Sequence, residues 1–172
     1  LVISLCGAIT FVYSSSSLSY TDAFFESVSG ITTTGATVIN NLEKLSEGIL
    51  IWRSLLQWFG GIGIIVLAMA ILPTLQIGGM QLLHMEHDDP YEKTIPKVNR
   101  FVIELFILYV SISILCAFLY FVNGMKGFDS IIHAMTTIST GGFSNYDESF
   151  SYFNSFKICL LYTSDAADEI VR

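Results

Sequence analysis

The chain has 172 residues, 52% of them hydrophobic and 13% charged, with a net charge of −7 and a mean hydropathy of +0.62. Soluble domains carry about 25% charged residues, so the composition points to a membrane protein. An acidic balance without a basic stripe or aromatic–basic interleaving argues against a nucleic-acid partner, and the absence of any Ser-His-Asp, Cys-His or phosphate-loop arrangement argues against an enzyme.

Residues 1–13 are apolar, but a helix needs about 20 residues to cross a bilayer. The run reads as the outer end of a membrane helix whose beginning is missing. It has no methionine and no basic flank, so it does not read as a signal peptide. A serine run follows at 14–17. Thr21 is the expected N-cap of a short amphipathic helix over 22–29, with Asp22 in its first turn. Gly30 ends it. The next stretch, Ile31-Thr32-Thr33-Thr34-Gly35-Ala36-Thr37, is too polar to span a bilayer and too small to fill a core. Extended backbone is tolerated at membrane depth only where it is buried in protein or lines a watery cavity. The pattern is therefore a re-entrant loop.

Residues 40–48 read as a polar loop. No formal charge occurs over 54–72, enough helix to cross roughly 28 Å at about 1.5 Å per residue. Trp52 and Trp58 lie near its start, as interfacial anchors do. Gly60, Gly61 and Gly63 permit close helix packing, and Pro73 closes the span. A polar connection over 74–99 leads to a second span over 101–122, with Glu104 about one turn inside. A second short amphipathic helix is expected over 128–135. It runs into Thr137-Ile138-Ser139-Thr140-Gly141-Gly142-Phe143. Residues 144–157 read as a loop, and 158–162 as the possible start of another span.

The order repeats. Asp22 to Val28 resembles Asp129 to Met135, and each leads to Thr-Gly. Asp22 to Gly35 is thirteen steps and Asp129 to Gly141 is twelve, which implies one residue inserted between the first helix and its glycine. With two spans between them, both loops enter from the same side of the membrane and can face one axis. A cation sheds its water where rings of backbone carbonyls replace it. Thr33, Thr34 and Gly35, and Ser139, Thr140 and Gly141, are the expected donors. Glycine tolerates the positive φ such a loop needs. The C-termini of the short helices, aimed at the loops, favour a cation. Two loops make half a ring, so a working pore needs more chain on either side, or other chains. Lys and Arg are divided evenly enough between the two sides that orientation stays open at this point.

Several of these motifs resemble the TrkH/KtrB potassium-uptake family. They are Ile31-Thr32-Thr33-Thr34-Gly35-Ala36-Thr37-Val38, Gln57-Trp58-Phe59-Gly60-Gly61-Ile62-Gly63-Ile64-Ile65-Val66-Leu67, Ile71-Leu72-Pro73, Gly78-Gly79-Met80-Gln81-Leu82 and Thr140-Gly141-Gly142-Phe143-Ser144. The resemblance covers residues 1–158. It implies an all-α integral membrane fold of tandem repeats, each an outer helix, a re-entrant pore loop and an inner helix, present here incompletely. Residues 1–73 would be the end of the second repeat's outer helix, its pore loop and its inner helix. Residues 74–100 would be a cytoplasmic connection, and 101–158 the third repeat's outer helix and pore loop. Residues 159–172 look like a translated adapter, a non-native tail. The resemblance further implies potassium uptake across the bacterial inner membrane through a carbonyl filter that opens outward. Thr33, Thr34, Gly35, Ser139, Thr140 and Gly141 would bind the ion, with no cofactor. It implies a homodimer in membrane lipid and a cytosolic nucleotide-binding regulatory subunit. The alternatives are a sodium-permeable relative, another secondary transporter with broken helices, and a non-conducting membrane scaffold.

Four further features stand beside it. The cluster His84-Met85-Glu86-His87-Asp88-Asp89 has no H-E-x-x-H spacing and reads as a solvated connection. Cys6, Cys116 and Cys159 lie in apolar runs and read as small buried hydrophobes. Glu104, an intramembrane carboxylate, is a functional candidate by position. Glu26 and His133 occupy equivalent places on the two short helices.

Overall fold

The computed structural model describes residues 2–14, 18–71, 94–153 and 155–163. All regular structure among the described residues is helical. The order is α1 (Val2–Ser14), α2 (Tyr20–Ile31), α3 (Glu47–Ile71), α4 (Thr94–Val122), α5 (Gly127–Ile138) and α6 (Phe156–Thr163), with 3₁₀ turns at Leu42–Lys44 and Ser149–Phe153. Glu47–Leu67 and Val102–Val122 are long and apolar enough to cross a membrane. α4 leaves Ile107, Leu108, Ile114, Leu115 and Phe118 exposed. Apolar surface of that extent suits hydrocarbon or further protein, not water.

The ends of the elements differ from the sequence expectation for physical reasons. α2 starts one residue after Ser19, whose hydroxyl accepts from the Asp22 amide, so Ser19 and not Thr21 is the N-cap. α3 starts at Glu47 rather than at residue 54. The charge on Arg53 does not end the helix, because Glu26 neutralises it inside the protein. α5 runs on to Ile138. Its last turn contains Thr136 and Thr137, and the poor helix propensity of threonine made that turn look like loop. α4 starts at Thr94, so the end of the expected 74–100 connection is helical. Residues 72–93, with Pro73 and the His84 to Asp89 cluster, lie outside the described residues. The helix over 156–163 takes in Cys159 to Thr163, which the adapter reading had set aside. Tyr162 is buried there and stacks on Phe150 with ring centroids 3.9 Å apart.

Two apolar clusters hold the two halves. Ala8 and Phe11 of α1 pack with Ala23 of α2 and with Ile49 and Leu56 of α3. Cys116 and Tyr120 of α4 pack with Met125, Ala134, Phe150, Ile158 and Tyr162. Helix association in lipid rests on packing and hydrogen bonds, not on expulsion of water. A cavity therefore matters most, and Leu56→Ala is expected to cost about 2–5 kcal/mol. α3 lies against α1, α2, α4 and α5 and joins the two halves. Two indoles tie α3 to its neighbours: Trp52 donates to the Gly7 carbonyl of α1 at 3.3 Å and Trp58 to Ser113 Oγ of α4 at 3.0 Å. Gly63 faces open space, unlike Gly60 and Gly61. Cys6 is exposed, contrary to expectation, whereas Cys116 is buried.

Candidate functional site

α2 and α5 end in the same way. In α2 the Thr33 amide donates to the Gly30 carbonyl at 3.0 Å and the Thr34 amide to the Ser29 carbonyl at 2.9 Å. In α5 the Thr140 amide donates to Thr137 and the Gly141 amide to Thr136, both at 2.9 Å. Each pair is a Schellman closure, which places the residue after the C-cap in the left-handed region. Glycine usually fills that place, but here threonine does, with φ of 55° at Thr33 and 56° at Thr140. For a β-branched residue this conformation is a true outlier and costs about 1–2 kcal/mol. Strained backbone of this kind clusters at functional sites.

The shared geometry fixes the register. A constant 107 positions separate Asp22 from Asp129, Glu26 from His133, Thr33 from Thr140 and Thr37 from Ser144. The same offset carries Gly35, at φ 78°, onto Gly142, at φ 74°. No residue is inserted, and the counterpart of Gly35 is Gly142, not Gly141. The two Thr-Gly pairs are therefore one residue out of the structural register.

The second loop runs back along α3. Gly61 lies under Ser139, where a Cβ would come within 3.0 Å of the serine side chain. One turn nearer the N-terminus, the Gln57 carboxamide donates to the Gly141 carbonyl at 2.9 Å and accepts from the Phe143 amide at 3.2 Å. One turn further, Arg53 Nη1 donates to the Ser144 carbonyl at 3.1 Å, and its guanidinium sits 4.2 Å from the Phe143 ring centroid. The first loop uses the adjacent track, since a side chain at Gly60 would collide with the Ile31 carbonyl. The loops meet where a Cβ on Gly35 would collide with the Gly141 carbonyl. Of the six expected ion-binding residues, the structure thus brings Gly35 and Gly141 together. Ser139 is buried against α3, and its hydroxyl donates to the Thr136 carbonyl at 3.1 Å. Thr33 and Thr34 follow α2, with Thr34 exposed and its hydroxyl 2.8 Å from that of Thr32. Thr140 is exposed.

Each loop is tied to its own short helix by the pair four positions past Asp22 or Asp129. Glu26 is fully buried and accepts from Thr37 Oγ1 at 2.9 Å, from the Val38 amide at 3.2 Å and from Arg53 Nε at 2.8 Å. His133, equally buried, bonds through Nδ1 to the Asp129 carbonyl at 2.8 Å and through Nε2 to Ser144 Oγ at 3.2 Å. A carbonyl can only accept, so Nδ1 carries the proton and Nε2 accepts from the serine. Burial pushes the His133 imidazole below its ordinary value, opposed by the bond to the Asp129 backbone. Asp129 accepts from Asn145 at 2.8 Å and from the Tyr146 hydroxyl at 3.0 Å. Burial, and then that bond to Asp129, push the Tyr146 phenol up. Asp147 accepts from the Asn41 and Leu42 amides, each at 3.0 Å, and so fastens the 3₁₀ turn at Leu42–Lys44 to the segment after the second loop.

An open recess of about 350 Å³ lies between the loops, lined by Gly35, Thr37, Gly142, Ser144, Arg53 and Asp147 among others. Neither short helix has a basic residue in its last turn. Two helix C-termini therefore end at the loops with no basic residue of their own opposing their negative dipole ends, while the Arg53 guanidinium in the lining is paired with Glu26. Such an arrangement can hold a desolvated cation with backbone oxygens. Among the described residues no group of His, Cys, Asp and Glu could hold a metal ion by side chains. Arg53, Gln57 and Asp147 were missed in the sequence. The signal for Arg53 and Gln57 was the run Arg53, Gln57, Gly60, Gly61, a polar and small stripe at helical spacing within an apolar helix; Asp147 carried none.

Comparison with known proteins agrees with this geometry. The chain is 47% identical over 163 residues to the Trk system potassium uptake protein TrkH of Vibrio parahaemolyticus, covering 93% of this chain and 34% of that protein. It is 48% identical over 157 residues to TrkH of Escherichia coli, covering 90% and 32%. It superposes on the crystal structure of the potassium transporter TrkH from Vibrio parahaemolyticus with a TM-score of 0.80 at 44% identity, over 95% of this chain and 32% of that one. The chain thus spans about a third of the length of the relatives it matches. The family model for TrkH, cation transport protein, matches residues 1–164, and the chain belongs to the TrkH family of multi-pass membrane proteins.

Proposed function

We propose that this chain forms part of the pore of a potassium-uptake subunit in the bacterial plasma membrane, and that its two loops are two arcs of the selectivity filter. The observation that carries the reading is the matched pair of strained helix ends, which bring two loops of the same backbone form together at Gly35 and Gly141. The names of the relatives, potassium uptake proteins, supply the ion. In this reading the carbonyls of Thr33, Thr34 and Gly35 on one side, and of Ser139, Thr140 and Gly141 with Gly142 on the other, replace the hydration shell. Glycine at 35 and 142 keeps each peptide free to take the required φ. The driving force is the membrane potential, about 2.3 kcal/mol per charge per 100 mV. The remaining arcs come from the rest of the subunit, which forms a homodimer and docks a cytosolic nucleotide-binding regulatory protein.

The test is Gly35→Ser in the full-length protein, expressed in cells that lack other potassium uptake. The variant should reach the membrane at normal levels yet fail to support growth at low potassium. Normal growth of that variant would overturn the reading.

A further inference from the structure

We infer that Gln57 is a positioning residue for ion selection: it sets the spacing between the two loops. The inference rests on the filter reading above and adds a residue outside the loops. Gln57 is fully buried. Its carboxamide donates to the Gly141 carbonyl and accepts from the Phe143 amide, as a neighbouring extended strand would. One planar group thus fixes the peptides on both sides of Gly142.

The packing passes this order on to the first loop. A Cβ on Gly141 would run into the Gln57 carboxamide, and a Cβ on Gly35 would run into the Gly141 carbonyl. Gln57, Gly141 and Gly35 form a stack in which each member stops the next from moving in. Gln57 lies on α3, in the same unit as the first loop, yet it holds the second loop. Arg53, one turn away, reaches the Ser144 carbonyl of the same loop. The dimension that Gln57 controls is the distance between arcs, and that distance decides which bare cation the carbonyls fit.

The chemistry required is specific. A donor and an acceptor must lie side by side on one short arm. Leucine has similar bulk and offers neither. Glutamate would set a charged acceptor against a carbonyl. Leucine strands both buried backbone groups, and glutamate strands the Gly141 carbonyl.

The experiment uses the full-length protein in its native membrane, with uptake normalised to protein in the membrane. Potassium KM, maximal rate and inhibition by sodium are measured for wild type, Gln57→Leu, Gln57→Glu, and Trp58→Phe as a packing control. Gln57→Leu and Gln57→Glu should lower potassium-over-sodium discrimination by roughly tenfold, with KM raised more than the maximal rate changes. Trp58→Phe should leave discrimination as in wild type. Wild-type discrimination and KM in Gln57→Leu would overturn the inference. If that variant does not reach the membrane, Gln57→Met takes its place under the same criterion. Gly35→Ser in the same assay separates the two claims. If it loses discrimination and Gln57→Leu does not, the spacing role fails alone. If Gly35→Ser also discriminates as wild type, the filter reading fails with it.

Discussion

The two helix–loop units share a backbone and differ in what braces it. In the first, the buried residue beneath the loop is Glu26, and its charge is met by Arg53 from α3 with side chains 0% and 2% exposed. In the second, the same position holds His133, neutral and ringed by Phe150, Phe153 and Tyr146. Both reach the same hydroxyl place on the loop, Thr37 in one and Ser144 in the other. The geometry therefore does not require a particular chemistry at this position. It requires a buried acceptor that can hold a hydroxyl, and an ion pair or an imidazole will do. The ion pair adds something the imidazole does not, since Arg53 also grips the second loop at Ser144. The first unit is the one that ties the two together.

The largest expected effect separates the units most sharply. Arg53→Met strands a buried carboxylate and should cost about 3–5 kcal/mol, read as a drop in the thermal midpoint of the purified full-length protein. Adding Glu26→Gln should recover much of it; no recovery would mean that Arg53 acts mainly through Ser144. His133→Leu loses two neutral hydrogen bonds and should cost less, about 1–3 kcal/mol. A loss equal to that of Arg53→Met would erase the distinction drawn above. The units should also differ with pH. His133 is held below its ordinary value, so its contribution is whole above the unfolded value of about 6.5 and fades as pH falls through the folded one. Asp129 and Tyr146 face it, and neither supplies a mobile cation. Between about pH 7.5 and pH 5 the midpoint should fall more for wild type than for His133→Gln. Smaller still, Asp147→Ala should speed hydrogen exchange at the Asn41 and Leu42 amides, at about 1 kcal/mol given its exposure. The smallest is Thr33→Gly, which relieves the left-handed strain by about 1 kcal/mol or less after the added chain entropy. It should change stability little while loosening potassium discrimination.

Much of this was legible in the sequence. Apolar length gave both spans, and the recurrence of Asp22 to Val28 in Asp129 to Met135 gave both short helices. The register was not legible, because glycine is the visible mark of a turn and Gly141 and Gly142 stand together. The residue that takes the left-handed turn is a threonine, which no propensity marks for that role. Arg53 was misread because a charge normally stops a span, and its partner lies 27 positions away. Gln57 was hidden for a similar reason. An uncharged amide does not break an apolar run, and only the fold shows that it meets a peptide 84 positions on.

The most direct test of the account is the ratio of potassium to sodium permeation in full-length protein carrying Gly142→Ala, set beside Gly35→Ala. The matched loops predict that both variants lose potassium preference to a similar degree. Wild-type preference in Gly142→Ala, with loss in Gly35→Ala, would contradict the equivalence of the two loops on which the account stands.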